Sequence, residues 1–245
     1  LGRADQSAKV RGLFIHEAVA VDPVRMRLYL TEDTTNGRFY RFTPDALDAD
    51  GNAILTAGTL EVMRVTSGDV GAVTWLEVPD PSAELVPTRL QVPESTAFTG
   101  GEGVWYHEDE VYFTTKGDDR IWAHHVVDDT LRIVYDSNEV ADPILQGVDF
   151  ILATSAGDLL VAEDGDDMQV VAISPSGDVV PLVQIDGRTV GFTPVVATGI
   201  AVGERVVRVS ARGYEPEEAV VTVTTDRQVE LTSVRMRTLR EVSAA

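Results

Sequence analysis

Apolar runs of four to seven residues, rich in Val, Ile, Tyr and Phe, alternate along the chain with clusters of Gly, Asp, Asn and Pro. Helical periodicity is nearly absent. Short alternating runs bounded by turn residues mark β-strands, so the pattern predicts an all-β fold. Strands are expected at residues 18–21, 27–31, 37–42, 104–106, 110–114, 120–124, 132–135, 159–162, 169–173 and 179–184.

The strands recur in units. Residues 16–44, 101–126 and 147–175 each place an acid before a first strand, then a turn and a stronger second strand ending in Thr or an acid. A polar turn and a third strand complete each unit. Glu102 and Asp149, the leading acids of units two and three, lie 47 residues apart, a spacing that suits a four-stranded propeller blade. Glu17 and Glu102 are 85 residues apart, so residues 45–95 are read as an excursion plus outer strands. The reading is a partial β-propeller of about three blades. Closing a ring takes at least four, so a missing segment or a partner is expected to complete it, or sheet edges stay exposed.

Residues 187–239 differ, with short alternating strands broken at Gly191, Gly203, Gly213 and Asp226, as in a small β-sandwich. Charge marks the change. Net charge is −20, and residues 1–185 carry 32 acids against 12 Lys and Arg, whereas residues 186–245 carry eight of each. All four histidines and all three tryptophans also precede Asp186. Two domains follow, 1–185 and 186–245.

The acidic balance argues against nucleic acid as a partner, because phosphate backbones require Lys and Arg. No cysteine is present, which excludes disulfides, thiolate metal sites and cysteine nucleophiles within these residues. No apolar run is long enough to span a membrane. No signal peptide is visible, and the opening Leu1 suits a fragment or a processed chain.

Candidate chemistry lies in the repeated acids. Glu17, Glu102 and Asp149 precede first strands, while Glu32/Asp33 and Glu163/Asp164 end second strands. Taken singly, each reads as a solvated turn carboxylate. As a repeated set they read as converging ligands, which repel one another unless a cation neutralises them or some are protonated. Oxygen donors without sulfur suit Ca²⁺, Mg²⁺ or Fe³⁺. His16 reads as a packed or turn-bonding histidine, and His124 and His125 face opposite sides of a strand. Asp166 and Asp167 read as a plain turn. Gly100-Gly101-Glu102-Gly103 is no phosphate loop, since neither GK[ST] nor a helix follows.

The motifs HEAVAVDP…LYLTED…FYRFTP, GEGVWY…VYFTT and DLLVAEDGDD…VVAISPSGDVVPLV resemble the later half of the PhoX-type alkaline phosphatases, over residues 9–185. The resemblance implies a six-bladed propeller, exported to the periplasm or beyond the cell, that hydrolyses phosphate monoesters with Ca²⁺ and Fe³⁺ in its channel. It implies that Glu17, Glu32, Glu102 and Glu163 fall in motifs that supply or surround metal ligands, and Asp149 joins them through the repeat. Three departures stand out: the family's iron-binding cysteine is absent, its first blades are missing, and Phe150 stands where the family pattern has Asp-Asn. After Ile185 the tail is similar to PEGA-type or carboxypeptidase-regulatory-like sandwich domains, through GRTVGFTP and VRVSARGYEP. The expected function is that of a metal-dependent phosphomonoesterase, incomplete as an isolated chain. The alternative is a non-catalytic binding or structural module of an exported protein, with the sandwich mediating protein or envelope contact.

Overall fold

A computed structural model describes residues 12–140, 143, 145–164, 170–175, 182–185, 188–192, 197, 199–210 and 216–225. The chain divides into two compact units, residues 1–153 and 154–245. The expectation of an all-β protein holds. Among the described residues the helical segments are two short 3-10 turns, Thr88–Leu90 and Ser137–Glu139.

The first unit opens with β1 (His16–Asp22), β2 (Arg27–Glu32), β3 (Phe39–Pro44) and β4 (Gly58–Val65), an antiparallel meander, followed by β5 (Gly71–Glu77). A second meander runs through β6 (Gly101–His107), β7 (Glu110–Thr115), β8 (Arg120–His125) and β9 (Thr130–Asp136). β5 pairs with β9 through Gly71 and Ala72, which joins both meanders into a nine-stranded sheet of order β1-β2-β3-β4-β5-β9-β8-β7-β6. The two ends of that sheet, β1 and β6, lie alongside each other, so the sheet curls almost closed. β10 (Val148–Ala153) packs on the other flank of β6.

The central strands are buried on both faces because their sequences are apolar and aromatic at nearly every position, as in VYF and IWA. Between the meanders, Phe39 stacks on Phe113 at 4.1 Å, and Phe98 meets Phe113 and Trp122 edge-on. The other face of the first meander buries Leu28, Leu30, Tyr40 and Phe42. Residues 45–95 cover it. They supply the outer strands β4 and β5, and place Val78 and Val92 over that second core.

In the second unit, β11 (Leu159–Glu163) pairs antiparallel with β12 (Val170–Ile173). β13 (Leu182–Ile185), β14 (Arg188–Phe192), β15 (Gly203–Ser210) and β16 (Glu217–Val223) form a sheet of order β14-β13-β15-β16. Val207 and Val209 are buried while Val206 is exposed, the alternation of a strand with one covered face. The junction expected at Asp186-Gly187 lies outside the described residues, and the strands on either side of it, β13 and β14, pair with each other.

Candidate metal centre

β1 and β6 carry the same irregularity. The register of β1 on β2 shifts between His16 and Val19, and that of β6 on β7 shifts between Gly101 and Val104. A bulge bends its strand and re-aims the side chain within it. Glu17 sits in the first bulge and Glu102 in the second.

Glycines on both sides of Glu102 let three strands close on it. A Cβ on Gly101 would stand 3.1 Å from the Glu32 carbonyl oxygen. One on Gly103 would stand 2.6 Å from the backbone nitrogen of Ile151 and 2.9 Å from the Asp149 carbonyl oxygen. The start of β6 is thereby slotted between the end of β2 and the start of β10. Two threonine hydroxyls fasten the slot: Thr31 Oγ1 donates to the Glu102 carbonyl, and Thr114 Oγ1 donates to the Asp149 carbonyl. Thr31 and Thr114 occupy the same place in β2 and β7, so one tie occurs twice.

This packing brings Glu17, Asp33 and Glu102 together, with a carboxylate oxygen of each within 4.8 Å of the others. Glu17 and Asp33 reach solvent, whereas Glu102 is 7 % exposed. The Glu102 carboxylate accepts no hydrogen bond from the described residues. Burial pushes its pKa up to about 7, assisted by the charges of Asp33, Asp149 and Glu17 and opposed by Lys116. A largely buried carboxylate without donors and facing like charges is relieved by a proton or by a positive partner.

The other expected ligands are placed differently. Glu32 is buried, but its oxygens accept from the Arg38 backbone N–H at 3.1 Å, the Tyr40 hydroxyl at 2.9 Å and Arg89 Nη1 at 3.2 Å. Those donors occupy it. Asp149 lies beside Glu102, with Oδ2 4.0 Å from Lys116 Nζ. Glu163 ends β11 in the second unit and is buried there. In the sequence Asp33 is paired with Glu32 in the repeated acid set, whereas nothing there marks Lys116. Asp33, just past the end of β2, lies with Glu17, whereas the Glu32 oxygens face Tyr40, Arg89 and the Arg38 N–H.

His16 stacks on Phe14 at 3.7 Å, and its Nε2 lies 3.1 Å from the Gly12 carbonyl oxygen. His124 is buried among Tyr29 and Trp75, and burial lowers its pKa to about 4, while His125 turns toward Asp128. Phe150 is 47 % exposed. Asp166 and Asp167 lie outside the described residues.

A family model described as alkaline phosphatase PhoX matches residues 5–131, just over half of the chain. The chain belongs to the PhoX alkaline phosphatase family. Glu17, Asp33, Glu102 and Lys116 all fall within the PhoX match, while Asp149 and Glu163 follow it. Residues 170–238 match the PEGA domain, so β12 to β16 lie in that stretch. No curated protein matches the chain.

PhoX phosphatases are metal-dependent, and the donors here fit a hard cation. Three carboxylates, one of them buried and without a donor, make an all-oxygen set. An iron site built on thiolate has no fit, since these 245 residues contain no cysteine.

Proposed function

We propose that the first unit carries a cation site of a phosphomonoesterase, with Glu17, Asp33 and Glu102 as ligands, Asp149 beside them, and Ca²⁺ as the ion the donors suit best. The buried Glu102 carboxylate, surrounded by like charges and without a hydrogen-bond donor, carries this reading. Family membership supplies the substrate class, a phosphate monoester. When bound, the cation would polarise the phosphoryl group and offset the charge that builds on its oxygens.

The chain's own residues do the rest. Thr31 and Thr114 hold the acid-bearing strands in register, and Glu32 with Arg89 and Tyr40 braces the end of β2. The two meanders read as two blades, with β1, β6 and β10 side by side as inner strands, which supports a partial propeller. The PEGA-like module takes in β13, because β13 pairs with both β14 and β15, so its edge lies upstream of the composition change at Asp186. An exported location follows from the family. Among the described residues no helix is long and apolar enough to cross a membrane.

A second reading, a module that holds a cation without turnover, is favoured by the lack of cysteine in these residues. Calcium titration with thermal unfolding tests the site, since a ligand that binds only the folded state raises its stability. The wild type is expected to be stabilised by Ca²⁺ and Glu102→Gln is not. Absence of any shift with Ca²⁺, Mg²⁺ or Fe³⁺ sinks the cation site. Stabilisation without hydrolysis of p-nitrophenyl phosphate selects the second reading.

A further inference from the structure

We infer that Lys116 is the group that draws the phosphoryl end of an anionic substrate to the carboxylate site, an inference that rests on the cation-site reading above. Lys116 directly follows β7, as Asp33 directly follows β2, so the two residues hold the same place in successive meanders. Gly100 ties both corners together. Its N–H donates to the Thr34 carbonyl at 2.8 Å, and its carbonyl accepts from the Lys116 N–H at 2.8 Å. The backbone thus fixes Lys116 beside the cluster as firmly as it fixes Asp33.

The side chain continues the arrangement. Lys116 Nζ lies 4.0 Å from Asp149 Oδ2, and its charge opposes the upward shift of Glu102. Both members of the Lys116–Asp149 pair keep about a third of their side-chain surface in water, 34 % and 31 %. A loose, solvated pair of this kind adds little to stability. Its value lies in charge placement. Glu17, Asp33, Glu102 and Asp149 together outweigh one divalent cation, so a phosphate dianion approaching the loaded site meets repulsion from the carboxylate side. The Lys116 side is where an ammonium, a compact point charge with three donors, offsets that repulsion. A third of the Lys116 side-chain surface is exposed, which leaves it within reach of phosphate oxygens approaching from solvent.

Isothermal titration calorimetry on the full chain separates the two layers of the argument. Ca²⁺ is titrated first, then inorganic phosphate into the Ca²⁺-saturated protein, for wild type, Lys116→Gln, Lys116→Met and Lys116→Arg, with thermal melts to verify folding. Lys116→Gln and Lys116→Met are expected to weaken phosphate binding at least tenfold while Ca²⁺ affinity stays within threefold or tightens. Lys116→Arg is expected to recover most of the phosphate affinity. Unchanged phosphate binding in both neutral variants, or no phosphate binding by the Ca²⁺-saturated wild type, overturns the role of Lys116 and leaves the cation site standing. Failure of the wild type to bind Ca²⁺ overturns both.

Discussion

The hydroxyl of Thr31, on β2, donates to the backbone carbonyl of Glu102, on β6, and the same oxygen accepts from the Ala18 N–H on β1. One side chain therefore links both bulged strands that carry the acids. Thr31→Val is expected to remove the tie and leave a buried carbonyl unpaired, costing about 1–3 kcal/mol. Thr31→Ser restores most of it. Urea unfolding measures the loss, and Ca²⁺ affinity is expected to fall with Thr31→Val as Glu102 drifts from Glu17.

Gly103 permits the approach of β10. Gly103→Ala drives a Cβ into the backbone of Asp149, Phe150 and Ile151, atoms that cannot rotate aside. The expected cost is about 1–3 kcal/mol, with strand displacement rather than local repacking. Gly101→Ala, whose nearest neighbours lie at 3.1–3.3 Å, is expected to cost less. Equal midpoints in denaturant for Gly103→Ala and wild type contradict the slot.

Glu102 and His124 impose opposite pH dependences on the metal-free protein. The folded pKa of Glu102, about 7, lies above its ordinary 4.5, so folding binds a proton and stability from this group is lost as pH rises from 4.5 through 7. A cation competes with that proton, so Ca²⁺ affinity is expected to rise over the same interval. His124 is held neutral, with a folded pKa of about 4 against 6.5, so its contribution is lost as pH falls from 6.5 toward 4, by up to about 3 kcal/mol. Glu102→Gln should remove the first slope and His124→Gln the second, measured as melting temperature against pH.

Glu32 separates bracing from ligation. Glu32→Gln is expected to destabilise the fold, because Arg89 and Tyr40 lose a buried charged acceptor, while Ca²⁺ affinity changes by less than it does in Glu102→Gln. A Ca²⁺ loss in Glu32→Gln as large as in Glu102→Gln would place Glu32 among the ligands.

Strand positions were largely readable because burial at alternate residues leaves a periodic trace. β2, β7, β8 and β11 fall within one residue of expectation at each end. Outer strands were expected within residues 45–95 but without bounds for β4 and β5, since their exposed positions and flanking Pro and Gly dilute the alternation. The glycines around Glu102 read in the sequence as part of the GEGVWY motif and as no phosphate loop. Their purpose is a close approach to residues far away in sequence, which a local motif does not reveal.

By itself, the sequence determined the β-class, the repeated acid positions, the composition change toward the tail and the resemblance to the PhoX family, all properties of short-range pattern and composition. Tertiary structure decided which acids meet. Glu17, Asp33 and Glu102 converge because two bulges and two glycines set the approach of β1, β2 and β6, whereas Glu32, next to Asp33, is claimed by Arg89 and Tyr40. The physical reason is that a carboxylate's role depends on the donors packed around it, and those donors come from residues dozens of positions away.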